Sequence, residues 1–61
     1  MPEVTIEITQ GRTLDQKRAL VKGITQVVVE TCNTQASEVT VIIHETPLTD
    51  KAKGGVLFAD R

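Results

Sequence analysis

The run from Leu14 to Cys32 most restricts how this chain can fold. It holds no proline and is too long for an ordinary strand, which rarely exceeds about 10 residues. Thr13-Leu14-Asp15-Gln16, at its head, reads as a capping box, with Thr13 as N-cap and Gln16 reaching back. Asp15 suits the positive end of a helix. Leu20, Ile24, Val27, Val28 and Thr31 recur at helical spacing and predict one apolar face. Lys17, Arg18, Lys22, Gln26 and Glu30 fall largely off that face. The many β-branched residues weaken the helix, and Gly23 costs about 1 kcal/mol relative to alanine. Packing must therefore supply most of its stability. Asn33 is expected to stop the helix in a left-handed conformation.

The flanking segments alternate instead. In residues 2–8, Pro2, Val4, Ile6 and Ile8 point one way, and Glu3, Thr5 and Glu7 the other. A turn over Thr34 to Glu38 leads to a second strand, Val39 to Glu45, ended by Pro47. That strand carries apolar groups on both faces, the pattern of an inner strand. Strand, long helix and strand make one βαβ unit, an α/β fold whose two strands run parallel. Residues 48–53 read as a polar loop. Gly54-Gly55 and Val56-Leu57-Phe58 predict a turn into a short C-terminal strand or hairpin. The whole of 1–61 is expected to form one domain.

A chain of 61 residues buries only about 60% of its unfolded surface, so its own core is marginal. Disulfides, a metal or oligomerisation usually make up the shortfall. Cys32 is the only cysteine and His44 the only histidine, so neither an internal disulfide nor a zinc-type cluster is available. Phe58 is the sole aromatic residue. Oligomerisation remains, and a two-stranded sheet with two open edges invites edge-to-edge pairing into a four-stranded dimer. The net charge of −1 and the lack of a basic run argue against a nucleic-acid partner. No apolar stretch approaches the roughly 20 residues of a membrane span. Glu3 and Glu7 interrupt any signal-peptide pattern, so a reduced cytoplasmic setting is expected.

Pro2 follows Met1 and opens the first strand. Removal of Met1 turns Pro2 into a free secondary amine, able to act as general base or nucleophile without a side chain. With Met1 in place its nitrogen is a tertiary amide with no proton and no basicity. Taken alone, a proline at this place carries no catalytic meaning. Arg12 beside a helix start reads as a solvated residue, since the helix dipole gives a cation no advantage there. His44 at a strand end and Cys32 near a helix end read as structural.

The combination is more specific. Met1-Pro2 precedes an alternating strand. Gly11-Arg12-Thr13 stands at the strand–helix junction, and Asp15-Gln16-Lys17-Arg18-Ala19-Leu20 opens the helix. Val39-Thr40-Val41-Ile42-Ile43-His44-Glu45 forms the second strand, and Gly54-Gly55 a late turn. Nearly the whole chain in this respect resembles the 4-oxalocrotonate tautomerase family, the small-subunit branch of the tautomerases. The resemblance implies a βαβ protomer that forms dimers and then a hexamer, without a cofactor or metal. It implies an isomerase in which Pro2 shuttles a proton between carbons of an enol or dienol 2-oxo acid and Arg12 holds a substrate carboxylate. It also places the sites between subunits.

Two positions depart from the family pattern. Thr40 stands where the type enzyme has a second arginine, and it offers only a hydroxyl. The loop Thr49-Asp50-Lys51-Ala52-Lys53 lacks the family's aromatic residue, and Lys51 falls closest to its place. These losses weaken the case for efficient tautomerisation of a dicarboxylate; Lys51 and Lys53 read as solvated loop charges, and either becomes a replacement cation if the loop folds over the site. An apolar lining from Val4, Ile6 and Ile8 favours the uncharged amine that a base requires. The alternatives are a non-catalytic partner subunit in a heterohexamer, or a related hydratase, dehalogenase or decarboxylase using the same proline. Glu3, Glu7, Glu45 and Asp50 are the acids available for such water chemistry.

Overall fold

A computed structural model describes residues 1–61. The long run is a helix, α1, from Leu14 to Cys32. Thr13 Oγ1 accepts from the Gln16 N–H at 3.1 Å, and Gln16 Oε1 accepts from the Thr13 N–H at 2.8 Å. The helix stops at Asn33, which is left-handed with φ 53° and ψ 55°, a conformation asparagine tolerates better than most residues. Strand β1 (Glu3–Thr9) lies before α1 and β2 (Thr40–Thr46) after it. The two pair in parallel, with Val4 against Val41, Ile6 against Ile43 and Glu7 against His44. The predicted α/β fold with a βαβ protomer is therefore observed.

The second strand starts one residue later than its alternation suggests. A short 3-10 turn, Ala36–Glu38, captures the Val39 N–H on the Ala36 carbonyl at 3.1 Å, so Val39 closes a turn instead of opening a ladder. Residues 48–53 are not an irregular loop. A 3-10 turn, Leu48–Asp50, runs into β3 (Ala52–Lys53), which pairs antiparallel with β4 (Val56–Leu57). Gly54 and Gly55 both have positive φ, 62° and 82°, as a tight two-residue hairpin turn requires. A last 3-10 turn spans Phe58–Asp60.

Val4, Ile6, Val41 and Ile43 share the sheet face that meets the helix, because Lys17 of α1 pairs with Glu45 on that face. The half-covered helix residues are Lys17, Leu20, Val21, Ile24, Thr25, Val28 and Val29. The covered stripe is thus rotated from the predicted one. Val27 is 58% exposed, and Thr31 is exposed and donates to the Val27 carbonyl at 2.7 Å. Lys17, expected off the apolar face, belongs to the sheet side. Apolar residues occupy about half of the helix circumference, and two strands spaced about 4.8 Å apart are too narrow to cover them all.

No residue is fully buried. The surface of 4658 Å² exceeds the roughly 3,900 Å² expected of a compact folded chain of this size. The radius of gyration is 14.6 Å, where about 10.5 Å is usual for this length. The protomer is a flat body of 43 × 23 × 13 Å.

Candidate functional site

Pro2 is half-buried just ahead of β1, and its carbonyl accepts the Thr40 N–H at 3.0 Å. This bond ties Pro2 to the start of β2, where Glu3 stands opposite Thr40. Met1 projects from this end, 93% exposed. The charged side chains here are acidic: Glu3, and Glu38 two residues before Thr40, both exposed. Thr40 is exposed and brings no positive charge.

Arg12 lies at the other end of β1. Gly11, with φ 131°, turns the chain out of the strand in a region that side-chain-bearing residues rarely adopt. That turn sets Arg12 just outside the capped helix start. Its Nη1 donates to the Thr9 carbonyl at 3.3 Å, and it has no acidic partner.

Lys51 comes to the same place from the far end of the chain. It is half-buried between the Leu48–Asp50 turn and β3, and its Nζ donates to Thr9 Oγ1 at 3.4 Å. The Phe58 ring lies under it, 5.3 Å from Nζ, and the Phe58 N–H bonds to the Lys51 carbonyl at 2.8 Å. Arg61 stacks near the same ring, 4.9 Å from its centre. Lys53 is exposed on the hairpin. The four candidate residues therefore form two pairs, Pro2 with Thr40 and Arg12 with Lys51. The seven residues of β1 separate them, about 20 Å at 3.3 Å per residue. A small molecule cannot touch both pairs within one protomer.

Thr9 anchors both cations, yet nothing in the sequence distinguishes it from any threonine at a strand end. His44 and Glu7 pair at 3.0 Å on the sheet face away from the helix, both well exposed. Cys32 is an exposed free thiol. A shallow hollow of about 400 Å³, lined by Val21, Lys22, Thr25, Gln26, Val29 and Ala36, holds none of the candidate residues. It lies along the helix flank beside the Ala36–Glu38 turn. No group of histidine, cysteine, aspartate and glutamate side chains comes together as a metal site. No helix is long and apolar enough to cross a membrane.

Comparison with known proteins gives a consistent picture. The sequence model of the tautomerase enzyme family matches residues 2–61. A probable tautomerase of Bradyrhizobium diazoefficiens is 41% identical over 61 residues, spanning 100% of this chain and 91% of its own length. A probable tautomerase of Listeria monocytogenes is 43% identical over 60 residues, 98% of each chain. Among solved structures, YwhB, a homologue of 4-oxalocrotonate tautomerase, superposes with a TM-score of 0.92 at 35% identity over 98% of both chains. A heterohexameric 4-oxalocrotonate tautomerase from Chloroflexus aurantiacus superposes with a TM-score of 0.90 at 28% identity, covering 98% of this chain and 97% of its own.

Proposed function

The chain belongs to the tautomerase family, and we propose that it is a cofactor-free enol–keto tautomerase of a small 2-oxo acid, with Pro2 as general base once Met1 is removed. The observation that carries this reading is the setting of Pro2. Its carbonyl is fixed to Thr40 at 3.0 Å, a regular strand follows it, and Met1 stands open to an aminopeptidase. The base is then held by backbone alone.

In the proposed cycle the uncharged Pro2 amine takes the proton of the substrate's 2-hydroxyl group. The oxygen's electron pair forms the 2-oxo carbonyl, and the C=C pair moves to a carbon further along. The Pro2 ammonium returns the proton to that carbon, so the substrate is isomerised and the amine regenerated. Arg12 holds the carboxylate and orients the reacting carbon against the amine. The Thr40 hydroxyl is the group assigned to donate to developing oxygen charge.

The roughly 20 Å between Pro2 and Arg12 means that a partner chain supplies the arginine. A homohexamer of this chain meets that need and covers the open helix face and sheet edges. A heterohexamer with a second chain, like the Chloroflexus enzyme, is the other reading, and the absence of a cation beside Pro2 favours it. A reducing cytoplasm suits the exposed Cys32 thiol.

The test joins intact mass to turnover. Protein whose mass lacks Met1 should convert a 2-hydroxydienoate to its 2-oxo isomer. Pro2→Ala should lower the rate by at least about 100-fold, the typical contribution of a positioned base. Processed protein that is inactive alone refutes the homomeric reading, and activity indifferent to Pro2→Ala refutes Pro2 as the base. Activity appearing only with a second chain supports the heteromeric one.

A further inference from the structure

We propose that Arg12 and Lys51 form a two-cation clamp for one carboxylate, so that this chain selects a 2-oxo monoacid over a diacid. The proposal deepens the tautomerase reading and rests on it for the reacting end of the substrate. Both cations are seated on a single residue: Arg12 on the Thr9 carbonyl at 3.3 Å, Lys51 on Thr9 Oγ1 at 3.4 Å. Neither enters an ion pair. The pairs in this chain are Lys17 with Glu45, Arg18 with Asp15, and His44 with Glu7. Two like charges drawn to one neutral threonine repel each other unless an anion joins them.

Lys51 is also built into its position. Its backbone is tied to Phe58 at 2.8 Å, its head lies over the Phe58 ring at 5.3 Å, and its side chain is half-buried. A surface lysine free to wander pays side-chain entropy to bind an anion, and one already held pays less. In the clamp, Arg12 and Lys51, held on the carbonyl and the hydroxyl of Thr9, each donate to one oxygen of the carboxylate.

The charge pattern at the other end sets the selectivity. At the Pro2 end of β1 the neighbours along the ladder, Glu3 and Thr40, bring no positive charge. When a partner's clamp meets Pro2, a second carboxylate on a small substrate finds no cation at this end of the strand.

The experiment uses the processed full chain and two matched probes: a 2-hydroxydienoic acid with one carboxylate, and its analogue with a second carboxylate at the far carbon. The monoacid should show the higher kcat/KM. Lys51→Ala should raise its KM about tenfold or more while changing kcat little, the mark of a lost charged hydrogen bond made before the chemistry. Lys51→Arg should restore most of the loss, and Lys53→Ala should change nothing. A separate arm uses protein that retains Met1, in which the Pro2 nitrogen is an amide and no prolyl amine is free. Titration with butanoate should shift the NMR signals of Thr9, Arg12 and Lys51, and Lys51→Ala should abolish the shifts. Lys51-dependent butanoate binding without turnover upholds the clamp and refutes the tautomerase reading. Equal or better use of the diacid, or KM and butanoate binding indifferent to Lys51→Ala, overturns the clamp.

Discussion

Two inactive variants of this chain should restore each other. Pro2→Ala removes the base and Arg12→Ala removes the carboxylate ligand. The strand of seven residues between them keeps the two groups about 20 Å apart in one protomer. A working site must then take Pro2 from one chain and Arg12 from another. Mixed in equal amounts and assembled at random, half the chains carry an intact Pro2 and half an intact Arg12. A site draws one of each in about a quarter of cases, for any symmetric assembly that shares sites between chains. The two variants should be dissociated in mild denaturant, combined, returned to buffer and assayed for loss of the enol substrate. Recovery near 25% of the wild-type rate is expected, against near zero for either variant treated alone. Mixed assemblies, verified by native mass spectrometry, that stay inactive would place both groups in one chain's site. That result would refute the separation argument.

Further outcomes follow from the packing. With no residue fully buried, folding should depend on assembly, so the thermal midpoint should fall on serial dilution; a midpoint independent of concentration contradicts this. Val27→Lys places a charge on a helix residue that is 58% exposed in the protomer, and analytical ultracentrifugation should find smaller species if a neighbour covers it. Thr13→Ala removes one half of the reciprocal cap and should cost about 1 kcal/mol per protomer in thermal unfolding at fixed concentration. Gly55→Ala forces a side chain into φ 82° at a cost of about 1–2 kcal/mol. Because the hairpin turn also holds Lys51 and Phe58 in register, KM for a monoacid should rise as well.

Short-range chemistry was open to reading from the residues alone. The cap of Thr13 and Gln16, the stop at Asn33, the alternation of Val4, Ile6 and Ile8 and the Gly54-Gly55 turn all rest on contacts within a few residues of one another. The βαβ order follows from these pieces, and Pro2 and Arg12 stand out by their places at the element ends. Tertiary structure decided what is long-range. Which side of a broad apolar helix meets a sheet only two strands wide is a matter of packing, so Val21 and Val29 are covered while Val27 is not. Thr9 and Lys51, 42 residues apart, meet only because the C-terminal turn folds back onto the end of β1. The length of that strand, in turn, parts Pro2 from Arg12. Hydrogen bonds between near neighbours are written in local sequence, whereas distances between elements exist only once the chain is folded.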